Sequence, residues 1–496
     1  MDTVNKWWFR YQCLSYHIGS STIGTYEEIK QFIKVCHDKN IKVLCDIVVN
    51  HMANHQLDIT QSSTYDVYGL DAVKCGCRSS KFKISQEELK LVEERIHSYD
   101  GFKYTWSKSD FYTHGDVPDK LNGYNITDWN DPANYRTRWL VGLPDLNDYS
   151  ENVKKNRRVF MDELAILGFA GIRIDAVKHM QPQAVFDLTK QFVNSATGDV
   201  FKNERHLPPF PTSDIVIICE SLSNGSDYDL TYGHYMNALR TLSIPEANIL
   251  FYDNINYYKL KDHMANLNSF DVSASLNNPN LKQNALNYIC NHDIAHNFSS
   301  NSDYICNGFV KTLFYCLMIL IHKQNIMVYN DDEPAYRTNP EFPKDVADTR
   351  LKSDNFLNEY KNTALGQIIH FQKVIDQRGD VSIQKFKHGP NIIFTFSDLG
   401  FFVFSFTGCL FDASALNSMN LTNYNKHIDS FTGKAIEGFQ LKPYHSALFC
   451  KGTITPPPLP PPTNPRNGAH NFQIDLEIDI SAKTPKLTVQ HIELTS

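Results

Sequence analysis

The sequence predicts an α/β fold, a (β/α)₈ barrel that carries an inserted domain and is followed by an all-β sandwich domain. Two observations predict the barrel. Four short apolar runs each end in carboxylate or histidine side chains, and segments with helical periodicity lie between these runs. A third observation predicts the sandwich, because short apolar segments alternate with turns from Val381 onward. A chain of 496 residues is long enough for two or three domains.

The first part of the barrel is predicted over residues 1–51. Apolar side chains recur at helical spacing over 27–40, and the apolar run from Ile41 to His51 follows. Residues 52–147 are polar and weakly periodic, apart from one predicted helix over 86–98. This segment is too long for a loop, so we interpret it as an inserted domain.

Residues 148–380 are predicted to complete the barrel. Their central stretch runs from Gly168 to His179 and begins as a buried parallel strand. Alternate side chains of a strand share a face, so Arg173 and Asp175 lie together. Burial of unpaired charge is costly, so this pair is either a buried ion pair or part of a functional site. Further elements are predicted as helices over 151–167, 308–322 and 363–378 and as strands over 214–220, 286–293 and 325–329.

The C-terminal part is predicted to form the sandwich over 381–452, an extended proline-rich linker over 453–470 and a tail over 471–496. The tail contains two alternating segments, so it is either an added hairpin or disordered. The predicted sandwich strands span 391–396, 401–406 and 447–450.

The composition argues against two classes of partner. The net charge of −7 leaves no basic excess for a nucleic acid or an anionic membrane. The longest apolar run, from Leu313 to Ile321, is far shorter than the roughly 20 residues of a membrane-spanning helix. The first residues are polar and lack the apolar stretch of a signal peptide.

The polar side chains at the strand ends predict a glycosidase site. The carboxyl ends of parallel strands meet at one face of a barrel, where the chemistry of such folds lies. A carboxylate nucleophile and a protonated carboxyl donor are the groups that retaining glycoside hydrolysis uses. Glu220 follows an apolar run that should raise its pKa, whereas Arg173 should favour the ionised form of Asp175. The polar residues at the strand ends are Asp46, His51, Asp175, Glu220, His292 and Asp293.

Four segments resemble motifs of the α-amylases of glycoside hydrolase family 13, most closely those of animal type. Asp46–His51 resembles the third barrel strand, Leu143–Asn147 the end of the inserted domain B, Gly171–His179 the fourth strand and Asn291–Asp293 the seventh. The resemblance spans residues 7–452. It implies a retaining endo-hydrolase of α-1,4-glucosidic bonds in starch or glycogen, a monomer whose partner is the α-glucan substrate.

The resemblance also implies a role for each matching residue. Asp175 would be the nucleophile, Glu220 the general acid and Asp293 the carboxylate that stabilises the transition state. Arg173 would position the nucleophile. The substrate-binding residues implied in this way are Trp7, Trp8, Tyr11, Gln12, His51, Arg173, Lys178, His179 and His292.

Two ions follow from the resemblance. A structural Ca²⁺ would join domain B to the barrel, and its implied ligands provide the hard oxygen donors that this ion prefers. They are Asn50, Asp145 and the backbone carbonyls of Arg136 and His179. Arg173 and Asn291 match two of the family's chloride ligands, but no third basic ligand is found around 325–337.

The chain departs from the family at its start, where no residues match the first two barrel strands. We expect a sheet of six strands not to close with normal tilt and to leave apolar edges. Secretion is expected from the family, with a cytoplasmic location as the alternative. Two other functions stay open: a catalytically silent amylase-like protein that binds glucan or a protein partner, and an α-glucosidase or glucan transferase on the same scaffold.

Overall fold

The computed structural model describes residues 11, 13, 16, 18, 26–52, 64–65, 106–112, 125–201, 203–205, 207–222, 232–265, 281–288, 291, 311–323, 325–327, 364–443, 445–451, 471–479 and 486–495. For 64–65, 106–108, 260–265, 282, 311, 364, 471–479 and 486–495 it describes the backbone alone. The chain divides into two compact units, Met1–Gly452 and Thr453–Ser496.

A parallel sheet of six strands forms the centre of the first unit. In chain order the first eight strands are β1 (Leu44–Ile47), β2 (Thr64–Tyr65), β3 (Trp106–Ser107), β4 (Gly171–Ile174), β5 (Val216–Cys219), β6 (Ile249–Tyr252), β7 (Ala285–Tyr288) and β8 (Asn325–Met327). The parallel sheet has the order β1-β4-β5-β6-β7-β8, whereas β2 and β3 form a separate antiparallel pair. Within the described residues, β1 and β8 each pair with one neighbour, so this part of the sheet is open.

The sequence predicted five of these six strands and left the sixth barrel strand unassigned. The structure supplies it as β6, which pairs with β5 on one side and β7 on the other. All four of its residues are buried. A run of only four apolar residues is too short to be told from a buried helix segment by periodicity. Its neighbours in the sheet identify it.

Helices connect the strands. In chain order they are α1 (Tyr26–Asp38), α2 (Pro132–Tyr135), α3 (Glu151–Leu167), α4 (Pro182–Thr197), α5 (His234–Leu239), α6 (Asn254–Ala265), α7 (Lys311–Cys316, continuing as a π-helix over Leu317–Ile321) and α8 (Ala364–Arg378). The predicted helices over 27–40, 151–167, 308–322 and 363–378 are confirmed within a few residues. The predicted helix over 86–98 lies outside the described residues.

The residues at both ends of β4, the strand that carries Arg173, fix its position. Before it, α3 begins at the N-cap Ser150, whose side chain accepts a hydrogen bond from the Val153 amide, and ends at Gly168 with a φ of 94°. At its first residue, a Cβ atom on Gly171 would lie 2.1 Å from the Val216 carbonyl oxygen. Only glycine therefore allows β4 to approach β5 this closely.

The C-terminal part of the first unit is an antiparallel β domain. Its strands are β9 (Ile383–His388), β10 (Asn391–Phe396), β11 (Gly400–Ser405), β12 (Cys409–Phe411), β13 (Ile428–Asp429), β14 (Phe439–Leu441) and β15 (His445–Cys450), with α9 (Ala413–Ser418) after β12. Five strands form one sheet in the order β13-β15-β11-β10-β9, and β12 pairs with β14. Phenylalanine rings fill the core: those of Phe401, Phe411 and Phe449 contact one another. The predicted strands of this domain are confirmed.

The second unit contains an antiparallel hairpin of β16 (Asn471–Asp479) and β17 (Lys486–Thr495), with a shift of register between Asp475 and Leu476. Of the two outcomes that the sequence left open for the tail, the structure has the hairpin. The predicted proline-rich linker over 453–470 lies outside the described residues. In the described part of the chain, no helix combines the length and apolar character needed to cross a bilayer.

Candidate active site

One guanidinium group contacts three carboxylates at the carboxyl ends of adjacent strands. Nη1 of Arg173 donates to Oδ1 of Asp46 and to Oδ1 of Asp175, both at 2.7 Å. Its Nη2 lies 2.8 Å from Oε1 of Glu220. Arg173 stands on β4 in register with Asp46 on β1, and Glu220 directly follows β5. Three neighbouring strands thus bring their acidic side chains to one cation.

Burial sets the electrostatics of this cluster. The side chains of Arg173, Asp175 and Glu220 are buried, whereas that of Asp46 is 43 % exposed. Burial and the neighbouring Glu220 charge raise the pKa of Asp175 well above its ordinary value, although Arg173 lowers it. A hydrogen bond with Glu220 also raises the pKa of Asp175. The Asp175–Glu220 pair therefore retains a proton above the ordinary carboxyl range.

This pKa corrects an expectation from the sequence. The spacing of Arg173 and Asp175 correctly predicted their ion pair, and the arginine does favour the ionised form. However, one cation faces three carboxylates, of which Asp175 and Glu220 are buried, so its effect on Asp175 is outweighed by desolvation and by Glu220. The sequence showed the pair but not the number of acidic groups that share the arginine.

A turn in the backbone directly after β4 holds Glu220. Ala176 has a φ of 53°, in the left-handed region, which costs a non-glycine residue about 1–2 kcal/mol. In this conformation the Ala176 amide donates to Oε2 of Glu220 at 3.1 Å. The Val177 amide donates to the Glu220 carbonyl oxygen at 2.9 Å, and the Glu220 amide donates to Ile174. Three groups of this turn and strand, the Ala176 and Val177 amides and the Ile174 carbonyl, therefore fix the side chain and backbone of Glu220.

Two tyrosine rings flank the guanidinium group. The Tyr11 hydroxyl donates to Oδ2 of Asp46 at 2.8 Å, and the centre of its ring lies 5.7 Å from Cζ of Arg173. The ring centre of Tyr252, the last residue of β6, lies 5.3 Å from the same atom. Both distances are within the range of cation–π attraction. The sequence predicted Tyr11 as a site residue but missed Tyr252 and Asp46 in this role.

Two predicted histidines are buried close to the cluster, and burial lowers the pKa of both His51 and His179 to about 4. Nε2 of His51 lies 3.1 Å from the Tyr11 carbonyl oxygen, and Nδ1 of His179 lies 3.0 Å from that of Tyr135. A carbonyl can only accept, so these ring nitrogens carry the protons. Nδ1 of His51 is then an acceptor, which assigns the Asn50 NH₂ group, 3.3 Å away, as its donor.

Two of the implied calcium ligands, Asn50 and Asp145, lie at the junction between the inserted segment and β1. Leu146 donates its amide to the Asn50 carbonyl at 2.9 Å, and the backbones at His51 and Asp145 form an antiparallel bridge. Asp145 is buried, and neither of its carboxylate oxygens has a hydrogen-bond partner among the described residues. The pKa of Asp145 is raised well above its ordinary value, mainly by burial. An unpartnered buried carboxylate is costly.

These donors fit a calcium ion. The carboxylate of Asp145, the amide oxygen of Asn50 and two backbone carbonyls are all oxygen ligands, as Ca²⁺ requires. The ring of His179 binds the Tyr135 carbonyl, next to Arg136, so the two carbonyl residues are also linked. Among the described residues no cluster of three His, Cys, Asp or Glu side chains could hold a metal. An ion at this place would therefore need amide and carbonyl oxygens in addition to the Asp145 carboxylate.

A second buried ion pair, between Arg157 and Asp148, stabilises this junction. Nη1 of Arg157 donates to Oδ1 of Asp148 at 2.6 Å, and its Nε and Nη2 both donate to the Val49 carbonyl oxygen. Oδ2 of Asp148 accepts the Gln181 amide at 2.6 Å. Both charges are buried and hydrogen-bonded, which a buried ion pair needs to be tolerated. The pair connects α3, the start of α4 and the segment after β1.

The remaining predicted site residues divide into two groups. Nζ of Lys178 lies 5.1 Å from the ring centre of Tyr135, and Asn291 is buried. The others lie outside the described residues, and their roles stay predictions. They are Trp7, Trp8, Gln12, His292 and Asp293.

The candidate site lies in the part of the chain that matches a known protein family. The family model of the α-amylase catalytic domain matches residues 8–365 of the 496. The chain belongs to the α-amylase family. The α-amylase-related protein of Drosophila serrata is 32% identical over 180 residues, 36% of this chain and 29% of that protein. The α-amylase-related protein of Drosophila auraria is 32% identical over 174 residues, which are 35% of this chain and 28% of that protein. The match thus spans less than a third of these relatives.

Solved α-amylases share the fold over a larger part of the chain. Wild-type α-amylase I from Eisenia fetida superposes with a TM-score of 0.54 at 17% identity, covering 82% of this chain and 76% of that one. A variant of the same enzyme in complex with maltohexaose gives a TM-score of 0.52 at 18% identity, with the same coverage. At these identities the likeness concerns the fold. It confirms the predicted class, a (β/α)₈ amylase barrel with a C-terminal β domain.

The charge balance of the cluster predicts that Glu220→Gln stabilises the folded protein near pH 7. Unfolded Asp175 titrates near pH 3.9. Its pKa is higher in the fold, so the folded state loses stability as the pH rises between the two values. Removing the Glu220 charge lowers the pKa of Asp175. We expect a gain of about 1 kcal/mol in the free energy of unfolding at pH 7 that shrinks toward pH 4.

Thermal unfolding of the two proteins from pH 4 to pH 8 measures this difference. Glu246→Gln is the matched control, because that carboxylate forms a half-exposed pair with Arg240 at 3.2 Å. Its effect should stay within about 0.5 kcal/mol at every pH. A Glu220→Gln variant less stable than the wild type at pH 7 would contradict the charge balance described for the cluster.

Proposed function

We propose that this protein is a retaining, endo-acting hydrolase of α-1,4-glucosidic bonds in starch- or glycogen-type glucans. The observation that carries the proposal is the buried Asp175–Glu220 pair, which shares Arg173 and a retained proton at the ends of two adjacent strands. Double displacement needs one ionised and one protonated carboxyl group at the scissile bond. Membership of the α-amylase family supports the substrate class.

In the first step Asp175 attacks the anomeric carbon while Glu220 gives its proton to the glycosidic oxygen, so the C–O bond to the leaving glucan breaks. In the second step Glu220 takes a proton from water, and the water oxygen displaces Asp175 from the anomeric carbon. Arg173 keeps its charge throughout and partly balances both carboxylates. From the sequence alone, Asp293 is assigned to stabilise the positive charge that develops on the sugar.

Arg173 holds both carboxyl groups before substrate binds. Oδ1 of Asp175 and Oε1 of Glu220 lie 2.7 and 2.8 Å from the terminal nitrogens of Arg173. In retaining glycosidases the two carboxyl groups lie roughly 5–5.5 Å apart on either side of the scissile bond. Two acidic groups on one guanidinium are therefore close enough to act on the same glycosidic bond.

A second candidate function is a catalytically silent glucan binder. The relatives that this chain matches are named α-amylase-related protein rather than α-amylase, and this favours the alternative. An α-glucosidase or a glucan transferase would use the same residues and would differ in its products.

Hydrolysis assays on starch and maltoheptaose test the proposal. We expect reducing ends from internal cleavage by the wild type and a loss of at least about 10³-fold in Asp175→Asn and in Glu220→Gln. Asp214→Asn is the control, because this residue forms an exposed pair with Lys42 before β5. It should cleave at the wild-type rate.

The outcomes separate the candidates. Cleavage by Asp175→Asn at the wild-type rate would refute the assignment of the nucleophile. Starch binding by the wild type without release of reducing ends would indicate the silent binder. Release of glucose alone, or of products longer than the substrate, would indicate the glucosidase or the transferase.

We further propose that Ca²⁺ binds Asn50, Asp145 and the carbonyls of Arg136 and His179. The unpartnered, buried carboxylate of Asp145 supports this site. Bound calcium would supply the missing counter-charge and hold the inserted segment against the barrel. Chloride is not part of the proposal, because three carboxylates already occupy Arg173.

Calcium should stabilise the wild type against unfolding by about 2.7 kcal/mol at a hundredfold excess over its dissociation constant. Asp145→Asn should lose this gain. In chelator the variant should be at least as stable as the wild type, because it removes an uncompensated buried charge. Thermal unfolding with calcium and with chelator measures both effects, and Asp128→Asn, at an exposed position, is the control. An equal calcium gain in Asp145→Asn would disprove the site.

A further inference from the structure

A polar groove of about 380 Å³ lies in the C-terminal β domain. The edge strand β9 contributes Gln384 and Phe386, β10 contributes Thr395, and the turn after α9 contributes Asn420, Asn423 and Tyr424. The volume falls in the range of about 300–1,000 Å³ typical of small-molecule sites. None of these residues belongs to the candidate active site.

The lining of the groove selects against charged ligands. Its side chains are amides, hydroxyls and two aromatic rings, and none carries a formal charge. The lining has no Arg or Lys side chain to bind a phosphate or carboxylate ligand. It also has no carboxylate to bind a cation. Amides and hydroxyls both donate and accept, as sugar hydroxyls require, and the part-buried ring of Phe386 offers an apolar edge to a sugar ring. The lining therefore matches a neutral oligosaccharide.

The free hydrogen-bonding groups of the groove are its amides. No described protein group is hydrogen-bonded to the side chains of Gln384, Asn420 or Asn423, and all three are exposed. By contrast, Tyr424 donates its hydroxyl to the Ser397 carbonyl, so its ring is fixed in place. Three amides are thus available beside an anchored aromatic ring.

The fold fixes the spacing of these groups. Gln384 on β9 is directly paired with Thr395 on β10, and Phe386 follows two residues later on the same face of β9. Asn420 has a φ of 56°, and the Leu421 amide donates to the Leu416 carbonyl at 2.7 Å, which closes the turn opposite the strands. The groove therefore exists before any ligand binds, which lowers the entropic cost of binding.

We propose that this groove is a second carbohydrate-binding site, which takes a neutral α-glucan segment apart from the site of hydrolysis. The neutral-sugar chemistry follows from the lining alone. The choice of an α-glucan rests on the proposed function. Such a site would hold the polymer on the enzyme between cleavage events and raise the local concentration of substrate.

Isothermal titration of the full chain with maltoheptaose tests the groove. Glu220→Gln serves as the background so that the probe is not consumed. Two variants are made in this background. One is the double variant Gln384→Ala with Asn423→Ala, and the other is the control Lys385→Ala. Lys385 is exposed on β9 between the two lining residues, on the opposite face of the strand.

The double variant should bind one maltoheptaose fewer per chain than the control, or bind it at this site at least about tenfold more weakly. Equal stoichiometry and affinity in the two proteins would overturn the groove site. The binding test does not depend on hydrolysis. If the wild type cleaves no glucan but the two variants differ in binding, the groove proposal stands and the proposed enzymatic function is wrong. With the native Glu220, both variants should cleave maltotriose at the rate of the parent.

Discussion

A single buried arginine in contact with three carboxylates is the interaction on which the rest of the site depends. Arg173 lies 2.7–2.8 Å from the acidic groups of Asp46, Asp175 and Glu220. Buried carboxylates are tolerated only when a counter-charge and hydrogen bonds compensate their desolvation. One positive charge cannot balance three negative ones, so the cluster keeps a proton on the Asp175–Glu220 pair. The proton that glycoside hydrolysis requires is thus a consequence of this charge imbalance.

The surrounding fold keeps the three acidic groups within reach of the arginine. Gly171 lets β4 approach β5 closely, and the left-handed Ala176 directs its amide at Glu220. On the other side, the buried pair of Arg157 and Asp148 joins the segment after β1 to α3 and α4. Gly171 and Ala176 therefore lie at the first residue of β4 and just after its end, on either side of Arg173.

The sequence predicted the features that depend on local pattern. Short apolar runs that end in acidic residues located β1, β4, β5 and β7, and their common direction placed Asp175 and Glu220 together. Periodicity also located α3 within one residue and the two strands of the tail.

The features that the sequence missed depend on tertiary contacts. β6 is too short to be assigned without its neighbours, and so Tyr252 was missed beside Arg173. Asp46 was recognised as a strand end, but its ion pair across the sheet depends on register. The raised pKa of Asp175 depends on burial and on Glu220, 45 residues away in the chain. Neither quantity is visible in a local pattern.

The most direct measurement of the central claim is the free energy of unfolding of Arg173→Met at pH 7. This change keeps the volume of the side chain and removes the one charge that three carboxylates share. We predict a loss of about 3–5 kcal/mol that diminishes as the carboxylates become protonated at low pH. Lys42→Met, at an exposed pair with Asp214, should cost at most about 1 kcal/mol. A loss in Arg173→Met no larger than that of Lys42→Met would contradict the account.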